Sequence, residues 1–194
     1  DLLVLTHPHE DHVGGLIEVL KKYTVRNVLM SNKKYDDAFY NEFVSAVSSQ
    51  ESTVHFADPE ISFGLGEFKI DVVYAGYEVN SYNINNHSIA LMISYHDEIF
   101  YLGGDNESEV EEFILETGTS IDADVFKASH HGSKTANSYK FVSKISPSSV
   151  VIQCGENNKF GHPHDEVIDL ILRVNGIKNI YRTDVSGDVV FKLF

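Results

Sequence analysis

Cysteine is nearly absent: Cys154 stands alone among 194 residues, which excludes an internal disulfide and a cysteine-rich structural zinc site. The redox compartment stays open as a result. Long apolar runs are missing too, none reaching the ~18 residues that a membrane-spanning helix requires. No signal peptide, low-complexity tract or linker is visible, and 42% apolar content suffices for one substantial core, so one soluble domain is expected. Positive charge is scarce, with 15 Lys and Arg against 29 Asp and Glu and a formal net charge of −14. That balance opposes nonspecific attraction to nucleic-acid phosphates, so a nuclease would need local positive charge of the kind that bound metals supply.

Apolar periodicity gives the order of elements. Asp1 leads straight into the apolar run Leu2–Leu5, with no polar lead, so the chain reads as a piece of a longer polypeptide. Leu16, Ile17, Leu20 and Tyr23 then recur at helical spacing, and residues 25–30 read as a buried strand. Phe39, Phe43, Val44 and Val47 mark a second helix, and residues 53–57 another strand. Phe68, Ile70, Val72 and Tyr74 alternate as in a half-exposed strand, and residues 88–95 and 99–102 form a hairpin about His96-Asp97-Glu98. Asn106 is placed to cap a helix through Leu115, with Glu109 completing a capping box and Gly118 past the end. A strand at 124–128, a short helix near Tyr139–Ile145 and a strand at 150–153 follow. Pro163 opens a helix carrying Val167, Leu170, Ile171 and Val174, and strands at 179–182 and 188–193 close the chain. Strand–helix units on either side of an antiparallel middle fit an α/β fold of two sheets between outer helices, a four-layer sandwich.

Histidine is concentrated where those strands end. All ten histidines except His55 and His96 fall in four short segments, each at a strand end or in the loop beyond it. Thr6 to Gly15 places His7, His9, Asp11 and His12 within six residues; imidazole and carboxylate are the ligands that Zn²⁺ and neighbouring first-row metals take. His7 and His9 alternate and can share one side, while Asp11 and His12 lie past the turn, a spacing that suits two adjacent metals. Asp105, after Gly103 and Gly104, fits either a carboxylate bridging two metals or a plain helix cap. His87 in Asn85-Asn86-His87-Ser88 fits either a third imidazole for the first metal or a solvated loop residue. His130 and His131, beside Gly132 and Ser133, suit binding or protonating an anionic substrate, and one of them could instead be a ligand. His162 precedes a helix and can complete the second metal's set, with His164 behind it, and Lys127, Lys134 and Lys159 lie near these loops.

On these residues the chain resembles the metallo-β-lactamase-fold hydrolases, with residues 7–12 as the HxHxDH motif and Gly104-Asp105 as the later metal-bridging aspartate. The segments DVFKASHHGS at 124–133, FGHPH at 160–164 and YRTD at 181–184 are similar to the hydrolase domain at the C-terminus of ComEC-type DNA-uptake proteins and its stand-alone relatives. The resemblance implies an αββα sandwich, and it implies that His7, His9, His87 and Asp105 hold one divalent metal while Asp11, His12, Asp105 and His162 hold another. Zn is the expected metal, with Mn or Fe also suited to the donors. Activity would be phosphoester hydrolysis by a metal-bridging hydroxide that Asp11 orients, with His130 or His131 on the phosphate. The partner is then an anionic phosphoester, DNA included, with no membrane contact from this segment and no oligomeric state legible. Relatives carry an N-terminal strand pair before HxHxDH that helps form the first sheet and that this chain lacks, so the fold is expected to be incomplete at its N-terminus; ComEC-type relatives also often have Asn where His87 stands. Two alternatives stay open: hydrolysis of a lactam, lactone or thioester, and a noncatalytic metal-binding module of a DNA-uptake membrane protein.

Overall fold

The first apolar run divides itself between two cores. In the computed structural model, which describes residues 1–193, Leu5 of β1 (Leu2–Leu5) and Val28 of β2 (Asn27–Met30) face helices, while Val4 and Leu29 face a second sheet. Strands apolar on both faces are what a parallel sheet covered on both sides requires. β3 (Thr53–Phe56) completes this sheet, in the parallel order β1-β2-β3. The crossovers α1 (Glu10–Lys22) and α2 (Ala38–Ser49) cover the outer face with Val13, Ile17, Leu20, Phe43 and Val47. Asp37 caps α2, its carboxylate accepting the Tyr40 N–H at 2.9 Å.

Seven strands make the second sheet: β4 (Ser62–Leu65), β5 (Phe68–Tyr74), β6 (Ala90–Tyr95), β7 (Glu98–Leu102), β8 (Val125–Lys127), β9 (Ser149–Ile152) and β10 (Asn179–Arg182), neighbours in sequence order. β4 to β7 are antiparallel and β7 to β10 parallel, so the sheet changes pattern at β7. Ile70, Val72 and Leu91 turn inward to Val4 and Leu29 of the first sheet. The outer face packs on α3 (Ser108–Thr117), α4 (Tyr139–Ile145) and α5 (Asp165–Ile171) through Val110, Ile114, Phe126, Phe141, Ile145, Ile152 and Ile171. A short α6 (Thr183–Ser186) follows β10. Helices, sheet, sheet, helices is the four-layer αββα arrangement expected. No helix of the described residues is long and apolar enough to cross a membrane.

Local chemistry overrode several sequence signals. β4 was hidden by its glycine, Gly64, and forms because the Gly66-Glu67 turn folds it onto β5 with Leu65 opposite Phe68. The capping box is not made: α3 is capped by Glu107 with no side-chain bond, and Glu109 instead accepts from Asn86 Nδ2 at 2.8 Å. α5 starts at Asp165, so His164 caps it rather than lying within it, and Val174 is buried beyond its end. Tyr23 is the exposed C-cap of α1. Residues 188–193 form no strand, and Phe191 packs edge-on against Phe100 and Tyr181.

Candidate metal centre

Parallel strands deliver their C-terminal loops to one edge, and there the chain collects its polar residues. β1 runs into His7 and His9, and His9 is the N-cap of α1, its carbonyl accepting the N–H groups of His12 and Val13 at 2.9 Å each. Asp11 and His12 therefore lie in the first turn of α1, where the positive end of the helix favours a carboxylate. β7 runs into Asp105, and β8 into His130 and His131, whose loop is joined to the Asp105 loop by the His130 N–H donating to the Gly104 carbonyl at 3.1 Å.

Ser88, just before β6, fixes the register of two of these loops. Its Oγ accepts the Asp105 N–H at 3.0 Å and lies 3.1 Å from His7 Nδ1. This contact requires a glycine at 104: φ is +58°, and a Cβ there would sit 2.7 Å from the Cβ of Ser88. His7 is buried, with Nε2 3.0 Å from His9 Nδ1 and 3.8 Å from Asp105 Oδ2.

Four donors then converge. Asp105 Oδ2 lies 3.2 Å from His12 Nε2 and 3.3 Å from His131 Nε2, and Asp11 Oδ2 lies 3.3 Å from the same His131 nitrogen. Ligand atoms of Asp11, His12, Asp105 and His131 all fall within 4.8 Å of one another. His131 donates Nδ1–H to the Gln153 carbonyl at 2.8 Å, which leaves Nε2 directed at the carboxylates. Electrostatics follow the geometry. Burial opposes ionisation of Asp105, yet hydrogen bonds from His12 and His131 hold its carboxyl far below the usual range. The His131 hydrogen bond lowers Asp11 to about 2. Burial, reinforced by His12, lowers His7 to about 3 and keeps it neutral, as a metal ligand must be.

A cleft of about 700 Å³ opens from this cluster and is lined by His9, Asp11, Asp105, His130 and His131, with Asn85, Phe160 and His162 on its walls. Glu107 Oε1 accepts from Asn85 Nδ2 at 2.9 Å and lies 3.1 Å from His130 Nδ1, which is bonded to Thr135 Oγ1 at 3.3 Å. His162 is stacked on His131, ring centroids 6.2 Å apart, and burial lowers it to about 4. Cys154 also lines the cleft, where burial pushes its thiol up to about 11.

Of the sequence candidates, His7, His9, Asp11, His12 and Asp105 come together. His131 joins Asp11, His12 and Asp105, while His162 lines the cleft. His87 is not brought to the cluster: its Nε2–H donates to the Ser81 carbonyl at 3.0 Å, and Nδ1 accepts from the Tyr35 hydroxyl at 3.2 Å, so both ring nitrogens are used. Asn85, two residues before it, faces the cleft. Asn85, Ser88 and Glu107 escaped the sequence reading, although Asn85 and Ser88 sit in the same four-residue segment as His87. Among the lysines, the Lys127 ammonium donates to the Ala128 carbonyl, and that of Lys159 lies over the Phe160 ring.

The donors fit a divalent cation. Asp105 Oδ1 and Asn85 Oδ1 are buried with no hydrogen-bond partner, a costly condition in a protein interior that a cation relieves, and the mixture of imidazole and carboxylate is the chemistry such ions take. Comparison with known proteins agrees. The chain is 26% identical over 192 residues to ComE operon protein 3 of Bacillus subtilis, 26% over 193 to Recombination protein 2 of Haemophilus influenzae and 27% over 194 to Competence protein ComA of Neisseria gonorrhoeae. These matches cover 99%, 99% and 100% of this chain but only 24%, 22% and 25% of those proteins. Among solved structures, the fold is similar to the metallo-beta-lactamase fold protein YhfI of Bacillus subtilis, with a TM-score of 0.55, 14% identity and coverage of 94% of this chain and 74% of that one. It is likewise similar to Tm1679, a metal-dependent hydrolase of the beta-lactamase superfamily, with a TM-score of 0.58, 14% identity and coverage of 92% and 75%. The family model described as metallo-beta-lactamase superfamily matches residues 1–155, and this chain belongs to that superfamily.

Proposed function

We propose that this chain is a hydrolase that uses two divalent metals, Zn or a similar ion, to cleave phosphodiesters, nucleic-acid phosphodiesters included. The carrying observation is that Asp105 Oδ2 lies 3.8 Å from His7 Nε2, 3.2 Å from His12 Nε2 and 3.3 Å from His131 Nε2, in a cleft that His9 and Asp11 also line. Divalent metal, when bound, supplies Lewis acidity that makes water a nucleophile near neutral pH and offsets charge on phosphoryl oxygens. The protein's own part is to place those donors, to hold His131 through Gln153 and to present His130 to the substrate. Burial lowers His130, and Asp105 and Glu107 oppose that shift; a phosphate beside Nε2 would act in the same sense as these carboxylates, so that Nε2 can hold a phosphoryl oxygen or pass a proton to the leaving group. Cys154 is no rival nucleophile, because a thiol raised to about 11 is protonated at neutral pH. Similarity to proteins named for competence and recombination favours a nucleic-acid phosphodiester over other anions.

The test is a comparative screen of a bis-aryl phosphate, an aryl phosphocholine, a chromogenic lactam and a thioester, each with and without chelator. Turnover is expected on the bis-aryl phosphate and is expected to vanish with chelator. Dominant lactam or thioester turnover would overturn the substrate class. Tight metal binding with no turnover on any ester would replace this reading with that of a noncatalytic metal module.

A further inference from the structure

Residues 130–132 pass through three consecutive left-handed conformations, with φ of 47° at His130, 55° at His131 and 80° at Gly132. Glycine enters this region freely, but an L-residue does so at a cost, and two histidines in succession persist only where their surroundings hold them. The holding group is Asn137, which is fully buried. Its Oδ1 accepts the Ser129 N–H at 2.8 Å, and its Nδ2 donates to the carbonyls of Ser129 at 3.0 Å and Ser133 at 3.1 Å. One side chain thus ties both ends of the turn. Asn137 is held in its own place by Glu111 of α3, whose two carboxylate oxygens accept the N–H groups of Asn137 at 2.5 Å and Ser138 at 2.9 Å. Glu111 is 1% exposed, and a carboxylate is buried at that depth only when its acceptors are well used.

We propose that Glu111 and Asn137 are positioning residues of the metal centre, forming a buried clamp that runs from α3 to the His130–His131 turn and holds His131 Nε2 against Asp105 and Asp11. The inference rests on His131 being a metal ligand. Asp11 and His12 are carried by α1, which the clamp does not touch, and Asp105 by the loop after β7, which meets the turn at the His130 N–H and the Gly104 carbonyl, so the main effect of the clamp on metal passes through His131. Without the Asn137 side chain, the turn loses three hydrogen bonds at its two ends and keeps its backbone bonds from the His130 N–H to Gly104, the Ser133 N–H to His130 and the His164 N–H to Gly132, together with the His131 bond to Gln153.

The experiment is a double-mutant cycle read by Zn²⁺ affinity, in competition with a chromogenic chelator, on the unmodified chain, Asn137→Gly, His131→Ala and the double variant. Glycine at 137, where φ is 65°, removes the side chain without adding backbone strain, which isolates the three hydrogen bonds. Asn137→Gly is expected to weaken Zn²⁺ about tenfold, the lower end of what supporting groups contribute, His131→Ala to weaken it more, and Asn137→Gly to add little once His131 is gone. Glu111→Gln sets an amide NH₂ against a backbone N–H and is expected to act in the same direction, which supplies the reading if Asn137→Gly fails to fold. Equal losses with and without His131 would overturn the clamp in favour of general loosening of the fold. Unchanged Zn²⁺ affinity in Asn137→Gly and Glu111→Gln, with His131→Ala weakened, would overturn the clamp and leave the ligand reading standing. Unchanged affinity in His131→Ala would overturn both.

Discussion

Burial alone would lower His131, but hydrogen bonds to Asp105 and Asp11 raise it to about 9, so in the metal-free chain its imidazole is protonated at pH 7. Its contribution to stability is then fully present below the ordinary value of 6.5 and lost as pH rises through about 9. Asp11, lowered to about 2, contributes above its ordinary 3.8 and stops contributing as pH falls through about 2. A cation needs the neutral imidazole. Metal binding at pH 7 should therefore release about one proton, and apparent affinity should climb about tenfold per pH unit up to about pH 9. Calorimetry in buffers of different ionisation enthalpy measures that proton, and a binding enthalpy independent of buffer would contradict it. His87 gives the opposite expectation. Because Tyr35 and Ser81 use both of its nitrogens, His87→Ala should cost stability, about 1–3 kcal/mol for the partners left unsatisfied, and leave metal content within about twofold of the unsubstituted chain. Loss of metal in that variant, measured by atomic absorption on folded protein, would restore His87 to the donor set. The residue types at 7, 9, 11, 12 and 105 were legible because short spacing and flanking glycines constrain them. The placement of His131 beside the carboxylates, and of His87 away from them, was not, because it depends on which nitrogen a distant carbonyl occupies.

At the scale of elements, legibility follows how local each cause is. Helices α1 and α2 and strands β1 and β2 were readable since their apolar positions repeat within a few residues and pack as one core. The hairpin β6–β7 was equally plain, with His96 and Asp97 as the two-residue turn between Tyr95 and Glu98. β4 contains Gly64 and depends on its partner, so propensity understates it. The α3 cap failed for an instructive reason: Glu109 and Glu107 are drawn to Asn86 and Asn85 from the loop before β6. Carboxylates that would have closed a helix locally instead fasten α3 to the loop that carries Asn85, and Glu111 one turn on fastens it to the loop beyond His131. One helix thereby braces two loops of the cleft. Such long-range use of an ordinary capping pattern leaves no trace in spacing, since sequence distance says nothing about which side chain will be 2.8 Å away across the fold.

For the whole molecule, the net charge of −14 governs how an anionic substrate arrives. Two divalent ions would leave a strongly negative particle, and the cationic groups near the cleft do little to alter this. Lys127 donates behind the site to the Ala128 carbonyl, and Lys159 lies over the exposed Phe160 ring at 5.0 Å. Among the described residues, the cleft lining includes no lysine or arginine of the kind that gives nucleic-acid binding its steep loss with salt. Under the proposed function, attraction to a phosphodiester would come at short range, from bound metal and His130, against repulsion by the net charge at longer range. Salt screens the long-range part first, the Debye length falling from about 30 Å at 0.01 M to about 10 Å at 0.1 M. Raising ionic strength across that range should therefore lower KM for a short oligonucleotide, by roughly two- to fivefold for a few net charges of screened repulsion, with kcat nearly constant. A neutral thioester or lactone assayed beside it should show no such change. A KM for the oligonucleotide that rises steeply with salt would point instead to a cation-lined track on the surface and would overturn capture by the metal centre alone.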